Sequence, residues 1–247
     1  GNISNSGTLT FSSSNNQTLS GTLSGSGDLN KSGSGDLTLT GTNTFTGDTT
    51  LTAGTLYVGT ASDGSNTIIP RDISVEGGTL SGGGVIGRNV TFSSTAGTLA
   101  PGNSIGTLTI TGNLTLSADD TTNIEFNSTT ADKIVINGNT VLAGTISLYP
   151  EDTTYSDVTH TIVDASGGGT FNGTFSTDIA SNIAQQYWKI VKIDASNPIT
   201  NYLPSTTNVQ TSNEDYPYYL CLKTPVLKNS STVDIEAPNL NRALQYE

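Results

Sequence analysis

Few residues in this chain could act as a nucleophile, a base or a metal ligand. His160 is the only histidine and Cys221 the only cysteine. An activated nucleophile would need Cys221, or a serine, placed against His160 as its base. No serine stands in a Gly-x-Ser-x-Gly elbow or a similar motif. We therefore interpret His160 as an ordinary strand residue and Cys221 as a small buried hydrophobic residue, and we predict no catalytic, cofactor-binding or metal-binding residue.

Paired carboxylates are the second group with chemical potential, because enzymes that cleave polysaccharides use clustered acids, often with calcium or a basic side chain. The acidic candidates are Asp119 and Asp120, Glu151 and Asp152, and Glu214 and Asp215, and the accompanying arginines are Arg71 and Arg88. All the acids fall in predicted loops, where neighbouring side chains need not converge. We expect solvated turn residues and no enzyme, since charged side chains are mostly exposed. Three or more acids in one groove beside Arg71 or Arg88 would instead favour a polysaccharide-degrading enzyme.

Two short patterns resemble ligand-binding repeats but differ from them in spacing. GSGD occurs at residues 25–28 and 33–36, yet its aspartate directly follows the second glycine, unlike the calcium nonapeptide. Thr-x-Thr units such as Thr38 and Thr40 could match an ice lattice only if they recurred at the same point of every coil, and they do not. We interpret both patterns as ordinary turn and strand residues.

Composition limits the class of protein and its partners. Hydrophobic residues make up 33% of the 247 residues, below the roughly 45–50% usual in globular chains. The formal charge of -12 repels phosphate backbones and anionic membranes, so nucleic acid is not an expected partner. No stretch approaches the roughly 20 apolar residues of a membrane-spanning helix. The sequence opens within its own pattern, as expected of a piece cut from a longer protein.

A Gly-x-Leu signal recurs along the first half of the chain and predicts stacked repeats. Its leucines are Leu9, Leu23, Leu29, Leu37, Leu56, Leu80, Leu99 and Leu108. The steps from Leu56 to Leu80 and from Leu80 to Leu99 match one coil of a parallel β-helix, and the shorter steps fit successive faces of one coil. A solenoid is favoured over a sandwich or barrel, since stacked coils need only a narrow core.

Between the glycines the sequence alternates with a period of two, which predicts half-buried strands. The inward residues are Leu37, Leu39, Phe45 and Leu51, and later Leu108, Ile110, Leu114 and Leu116, with threonines at the outward positions. Threonine suits an exposed strand face because its branched Cβ favours extended backbone. After about residue 117 loops lengthen and aromatic residues cluster: Tyr149, Tyr155, Phe171, Phe175, Tyr187, Trp188, Tyr216, Tyr218 and Tyr219. This aromatic-rich region is the predicted cap of the open solenoid end.

Residues 25–56 resemble the passenger-associated repeat of bacterial autotransporters. The matching positions are Gly25, Gly27, Leu29, Lys31, Gly33, Gly35, Leu37, Leu39, Gly41, Asn43, Phe45, Gly47, Thr49, Leu51, Gly54 and Leu56. Residues 99–116 and 132–138 are similar to segments found late in such passengers. Residues 237–246 are similar to the start of the helix that leads into the translocator barrel. The resemblance implies the C-terminal part of a secreted passenger, including the region that helps start folding outside the cell.

These observations predict a right-handed parallel β-helix with a C-terminal cap region. The expected divisions are coils over residues 1–130, a cap or autochaperone-like region over 131–235, and the start of a linker helix over 236–247. The expected function is a structural stalk of an adhesin-type passenger on the surface of a Gram-negative bacterium, anchored to its outer membrane or released from it. Expected partners are a host-cell or bacterial receptor, the protein's own translocator barrel, and further copies in self-association. The alternatives are a β-helical polysaccharide-degrading enzyme, or a stalk that carries an N-terminal catalytic or toxin domain.

Overall fold

The computed structural model describes residues 1–60, 67–93, 95–151, 159–177, 189–193 and 232–236. Within these ranges the regular secondary structure is entirely β, with no helix, and therefore no helix that could cross a membrane. The first half of the strands are β1 Ile3–Ser4, β2 Thr8–Phe11, β3 Gln17–Leu19, β4 Leu23–Ser24, β5 Asp28–Lys31, β6 Leu37–Leu39, β7 Thr49–Leu51, β8 Thr55–Val58, β9 Ile68–Ile69, β10 Ile73–Val75, β11 Gly78–Gly82, β12 Val85–Ile86 and β13 Val90–Phe92. The others are β14 Gly97–Pro101, β15 Thr107–Ile110, β16 Leu114–Thr115, β17 Thr121–Phe126, β18 Lys133–Ile136, β19 Thr140–Leu142, β20 Thr145–Pro150, β21 Thr159–Asp164, β22 Phe171–Gly173, β23 Ser176–Thr177, β24 Lys189–Ile193 and β25 Thr232–Glu236.

The coils form three long sheets, of which the first and second begin at β2 and β3 and the third begins at β9. The first sheet has the order β2-β5-β7-β10-β13-β16-β19-β22, and the second has the order β3-β6-β8-β11-β14-β17-β20-β23. The third contains β9, β12, β15, β18, β21, β25 and β24, and β1 pairs separately with β4. From β7 to β21 successive strands visit the first, second and third sheets in turn, and each pairs in parallel with its equivalent in the neighbouring coil. The predicted all-β parallel β-helix is confirmed.

Strand register confirms the predicted coil length. Leu56 pairs with Leu37 on one side and with Leu80 on the other, and Leu80 pairs in turn with Leu99. The leucines of successive Gly-x-Leu units therefore stack on one another in the second sheet. The shorter step from Leu29 to Leu37 passes from the first sheet to the second within one coil, as the sequence predicted.

The core is a thin column of apolar side chains enclosed by the three sheets. The predicted inward residues are all buried: Leu37, Leu39, Phe45, Leu51, Leu108, Ile110, Leu114 and Leu116. Intervening threonines such as Thr38, Thr50 and Thr109 are half-buried on the outer face. Because each strand places alternate side chains on opposite faces, a low hydrophobic content is enough to fill this column.

A ladder of hydrogen bonds to aspartate and asparagine side-chain oxygens joins the coils where the chain enters the first sheet. Asp72 Oδ1 accepts the backbone N–H of Asn89 at 3.0 Å, and Asn89 Oδ1 accepts that of Asn113 at 2.9 Å. Asn113 Oδ1 accepts the N–H of Asn139 at 2.7 Å, and Asn139 Oδ1 accepts that of Thr170 at 2.9 Å. Each bond satisfies a backbone donor at a corner where the strand ladder is interrupted.

At the far end of the third sheet the pairing changes direction. β25 lies antiparallel to β21, and β24 lies antiparallel to β25. In the first and second sheets, parallel pairing continues as far as β22 and β23. The predicted boundaries at residues 130 and 235 stay predictions. The aromatic residues Trp188 and Tyr219, and the predicted linker segment from residue 237 onward, lie outside the described residues.

Candidate functional site

The outer face of the second sheet carries a groove of about 320 Å³. Strands β8, β11, β14, β17 and β20 form its floor, and the loop after β14 forms one wall. Its lining residues are Thr55, Tyr57, Thr79, Ser81, Ala100, Pro101, Gly102, Asn103, Ser104, Asn123, Glu125, Asp132 and Tyr149. None of these lining residues is a lysine or arginine. We call this feature the tyrosine groove.

Strand alternation and coil stacking place the two tyrosines in the groove. Tyr57 lies between buried Leu56 and Val58 on β8, so its side chain belongs to the outer face. Tyr149 follows buried Leu148 on β20 and is 42% exposed. The two tyrosines are far apart in the sequence. They lie at opposite ends of one groove because β8, β11, β14, β17 and β20 are successive neighbours in the sheet.

Carboxylates give the tyrosine groove a negative character. Glu125 on β17 is the register partner of Tyr149 on β20. Burial raises the pKa of Glu125, and the nearby carboxylate of Glu151 raises it further. Glu151 itself lies next to the groove wall, where Ser104 Oγ donates to its Oε1 at 3.4 Å. Burial also raises the pKa of Tyr57, with contributions from the carboxylates of Asp36 and Glu125.

Asp132 fastens the groove wall to the sheet. Its Oδ1 accepts the backbone N–H of Gly106 at 2.8 Å, and its Oδ2 accepts that of Glu125 at 2.7 Å. The side chain is only 1% exposed. Burial raises its pKa to about 7; the two backbone hydrogen bonds act in the opposite direction, and the carboxylates of Glu125 and Glu151 raise it. Both carboxylate oxygens are already engaged, which indicates that Asp132 holds the loop in place.

The acidic pair proposed for chemistry does not converge on the groove. Asp119 is exposed, whereas Asp120 is buried. Asp120 Oδ1 accepts the backbone N–H of Gly97 at 2.9 Å, and its Oδ2 accepts both the N–H and the hydroxyl of Ser117 at 2.7 and 2.8 Å. These bonds tie one coil to the next. Asp120 is therefore arranged as a corner residue.

The remaining sequence candidates are dispersed. Arg88 is exposed, and Arg71 Nε lies 3.9 Å from an Asp48 carboxylate oxygen, away from the tyrosine groove. His160 is buried on β21 with its Nε2 3.0 Å from the carbonyl oxygen of Asn127. No group of three or more histidine, cysteine or acidic side chains that could hold a metal ion occurs among the described residues. The candidates Asp152, Glu214, Asp215 and Cys221 lie outside those residues.

A buried lysine joins two coils beneath the first sheet. Lys31 is 2% exposed, and its Nζ donates to the carbonyl oxygens of Gly33 and, at 2.8 Å, of Ala53. Burial lowers the pKa of Lys31, and the Asp36 carboxylate opposes that shift. Gly54 has a φ of 68°, and a Cβ there would collide with Lys31 Nζ and with the carbonyl oxygen of Gly33. The lysine and the glycines thus depend on one another.

A buried asparagine joins three coils near the third sheet. Asn43 is 3% exposed, and its Oδ1 accepts the backbone N–H of Leu23 at 2.9 Å. Its Nδ2 donates to the carbonyl oxygens of Gly41 at 3.0 Å and Ile68 at 3.1 Å. The side chain therefore bridges backbone groups of neighbouring coils at a place where the chain of its own coil forms only an isolated bridge, between Thr42 and Ile68.

Comparison with protein families matches residues 29–58 to the passenger-associated-transport-repeat. The chain carries an autotransporter passenger repeat. The match begins before Lys31 and ends after Gly54, so both buried polar residues described above lie inside the passenger repeat. The repeat supports an autotransporter passenger built of β-strand repeats, and it implies secretion to the cell surface. No curated protein matches the chain.

Sequence reasoning missed the tyrosine groove because it is assembled from residues in five separate strands. One signal was present in the alternation itself. Tyr57 occupies an outward position in a stretch where the other outward residues are mostly threonine, and Glu125 and Tyr149 occupy outward positions three and four coils away in the same sheet. β-propensity alone does not account for a large aromatic side chain at an outward position in the same sheet as an outward carboxylate. Such a pair indicates a candidate binding surface.

Proposed function

We propose that this chain is part of the stalk of an adhesin-type autotransporter passenger, displayed on the outer membrane of a Gram-negative bacterium or released from it. The observation that carries the proposal is the passenger repeat within a continuous stack of parallel coils. Eight strands spaced by about 4.8 Å give the first and second sheets a length of about 34 Å each. Each further coil lengthens such a rod without needing a wider core.

The surface chemistry supports a role in display and adhesion. The outer face is coated by threonine hydroxyls and dispersed carboxylates, and the chain carries a formal charge of -12. Such a surface keeps an extended rod hydrated and discourages nonspecific association. We propose that its partners are a receptor on a host cell or on another bacterium, further copies of the passenger, and the translocator of its own full-length protein.

We further propose that residues 131–235 support folding during secretion. β25 pairs antiparallel with β21, and β24 pairs antiparallel with β25. Together they cover an edge of β21 that would otherwise be free to pair. A covered end can serve as a template on which the next coil forms through contacts about one coil apart in sequence. Replacing Trp188 or Tyr219 with Ala should then lower the secretion and protease resistance of the whole passenger. An unchanged surface yield in both variants would contradict the proposed role in folding.

We propose that the chain itself is not an enzyme. The rival function, cleavage of polysaccharide, is favoured by the presence of Glu125 and Asp132 in one groove. Against it, Asp132 is held by two backbone N–H groups, and neither Arg71 nor Arg88 lines the groove. Incubation of the purified chain with a panel of polysaccharides should release no reducing ends. Release that disappears in Glu125→Gln would favour the enzyme. A catalytic or toxin domain carried by the stalk in the full-length protein is a separate alternative.

Adhesion is tested with beads coated with the purified chain. We expect the beads to attach to host epithelial cells or to clump with one another, and uncoated beads to do neither. Soluble chain should compete with the coated beads, because it occupies the same receptors. Coated beads that neither attach nor clump would contradict the adhesive half of the proposal and leave the stalk half intact.

A further inference from the structure

We propose that the tyrosine groove binds an amine-bearing sugar unit, a hexosamine with a free amino group, within a polysaccharide. The inference deepens the adhesive part of the proposed function and rests on it. Its support comes from three features of the groove: the exposed ring of Tyr149, the carboxylates among its described lining residues, and a buried amide oxygen of Asn123 that has no hydrogen-bond donor.

The aromatic features fit a sugar ring. Tyr149 is 42% exposed on β20 and is the ring placed to contact a sugar beside Glu125, whereas Tyr57 lies four strands away at the other end of the same groove of about 320 Å³. This volume is at the lower end of the range of small-ligand pockets, which suits one or two monosaccharide units. Tyrosine combines an apolar ring that packs against C–H groups with a hydroxyl that remains hydrated, and its ring face also attracts cations.

The charge distribution selects a cationic ligand. Glu125 and Asp132 line the groove and Glu151 lies at its wall, whereas none of the described lining residues is a lysine or arginine. Burial makes the ionised form of Glu125 unfavourable, and repulsion from the Glu151 carboxylate makes it more so. An ammonium group placed beside Glu125 would relieve both effects, because an opposite charge favours the ionised carboxylate. Anionic sugars such as uronic acids would be repelled.

One unsatisfied polar atom and two further polar side chains suit the hydroxyls of the same ligand. Asn123 lines the groove, and its Oδ1 is buried without a hydrogen-bond donor. A buried acceptor left unpaired is unfavourable, so a ligand that supplies a donor gains affinity there. Exposed Asn103 and Ser104 stand on the loop that forms the wall. A sugar ring presents hydroxyl groups around its edge and can meet all three side chains.

The test is calorimetric titration of the purified chain with a short glucosamine oligomer, its fully N-acetylated counterpart, and a lysine oligopeptide of the same charge. We expect the glucosamine oligomer to bind at least about 10-fold more tightly than the acetylated form, because acetylation removes the ammonium group. Added salt should weaken the binding. Equal affinity for the two sugars, equal affinity for the peptide, or no binding of the glucosamine oligomer would overturn the inference.

Variants locate the binding in the groove. Tyr149→Ala and Glu125→Gln should each weaken glucosamine binding at least about 10-fold. The matched controls are Val141→Ala, which changes an exposed apolar residue on β19, and Asp119→Asn, which changes an exposed carboxylate outside the groove. Both should leave glucosamine binding unchanged. Urea unfolding of each variant shows whether it folds. Folded groove variants that bind as tightly as the wild type would place the ligand elsewhere and overturn the assignment.

The outcome is separable from that of the proposed adhesive function. Coated beads that attach to cells while the chain binds no glucosamine oligomer would overturn the groove inference alone. Glucosamine binding together with an absence of bead attachment would support the groove and contradict adhesion to those cells.

Discussion

The ammonium group of Lys31 donates to the backbone carbonyl of Ala53 at 2.8 Å, across the boundary between two coils. The same group donates to Gly33, within its own coil. A long polar side chain thus replaces strand pairing at a corner where glycines leave backbone carbonyls without partners. This relationship gives a physical reason for the lysine and the glycines of the passenger repeat to occur together.

Replacing Lys31 with Met should lower the free energy of unfolding by about 2 kcal/mol. Methionine fills a similar volume but leaves two buried carbonyl groups without a donor. Urea unfolding measures the loss. The matched control is Lys133→Met, which removes a half-exposed ion pair with Asp164 and should cost less than about 1 kcal/mol. An equal loss in the two variants would show that burial of the Lys31 ammonium is not what matters.

Replacing Gly54 with Ala should destabilise the chain by more than about 1 kcal/mol, because the added Cβ meets backbone carbonyls and the Lys31 ammonium at a residue with a φ of 68°. Gly7 is the matched control, since a Cβ at that position meets nothing within 4 Å. Thermal unfolding of Gly54→Ala and Gly7→Ala should show a clear drop for the first and little change for the second. Similar melting temperatures would contradict the close approach at Gly54.

Replacing Asn43 with Ala should cost about 1–3 kcal/mol, because it leaves the buried N–H of Leu23 without an acceptor. The Ile68 carbonyl loses the side-chain donor but keeps the backbone N–H of residue 43. Asn139→Ala removes the same kind of bond, to Thr170, at an exposed corner where water can replace it. That variant should lose about 1 kcal/mol or less. Chemical unfolding that ranks the two variants in the opposite order would refute the argument from burial.

Asp132 should make stability fall as pH rises between its ordinary pKa of 3.8 and about 7. Burial raises its folded-state pKa, so the folded state holds a proton that the unfolded state has released across this window. The stabilisation is present below pH 3.8 and lost by about pH 7, at about 1.4 kcal/mol per pKa unit. The groups that face it are the carboxylates of Glu125 and Glu151 and two backbone N–H groups.

Urea unfolding across this pH range measures the slope. Asp132→Asn cannot ionise and should flatten the decline, whereas the exposed control Asp119→Asn should retain it. Asp132→Asn should also be less stable than the wild type at low pH, since its amide nitrogen cannot accept a backbone N–H, whereas both oxygens of the protonated Asp132 carboxyl can. An undiminished slope in Asp132→Asn would assign the pH dependence to other groups.

Much of the fold could be predicted from the sequence because the coil repeats a simple pattern. The alternation of Leu37 and Leu39 with threonines fixes which side chains face the core, and the spacing of Leu56, Leu80 and Leu99 gives the coil length. Both depend on local periodicity, which one sequence displays directly. The third sheet was harder to infer, since strands such as β9 and β12 have only two residues each.

The groove could not be predicted because it depends on which outward residues stack. Tyr57 and Tyr149 are placed in one groove by the stacking of the intervening strands, and the loop that forms the wall is held by Asp132, which precedes β18. A carboxylate that accepts two backbone N–H groups looks the same in sequence as a solvated turn residue. The expectation of solvated turns suits Asp119 but not Asp120, whose side chain is buried and bonded to Gly97 and Ser117.

The most direct test of the passenger assignment is protease treatment of intact bacteria that express the full-length protein. We expect added protease to cut the full-length protein on intact cells and to leave residues 1–177 as a resistant fragment, because stacked coils resist cleavage. Antibody detection of this fragment, alongside a cytoplasmic marker that remains intact, measures both properties. A full-length protein that is cut only after the cells are broken open would contradict a surface-displayed stalk.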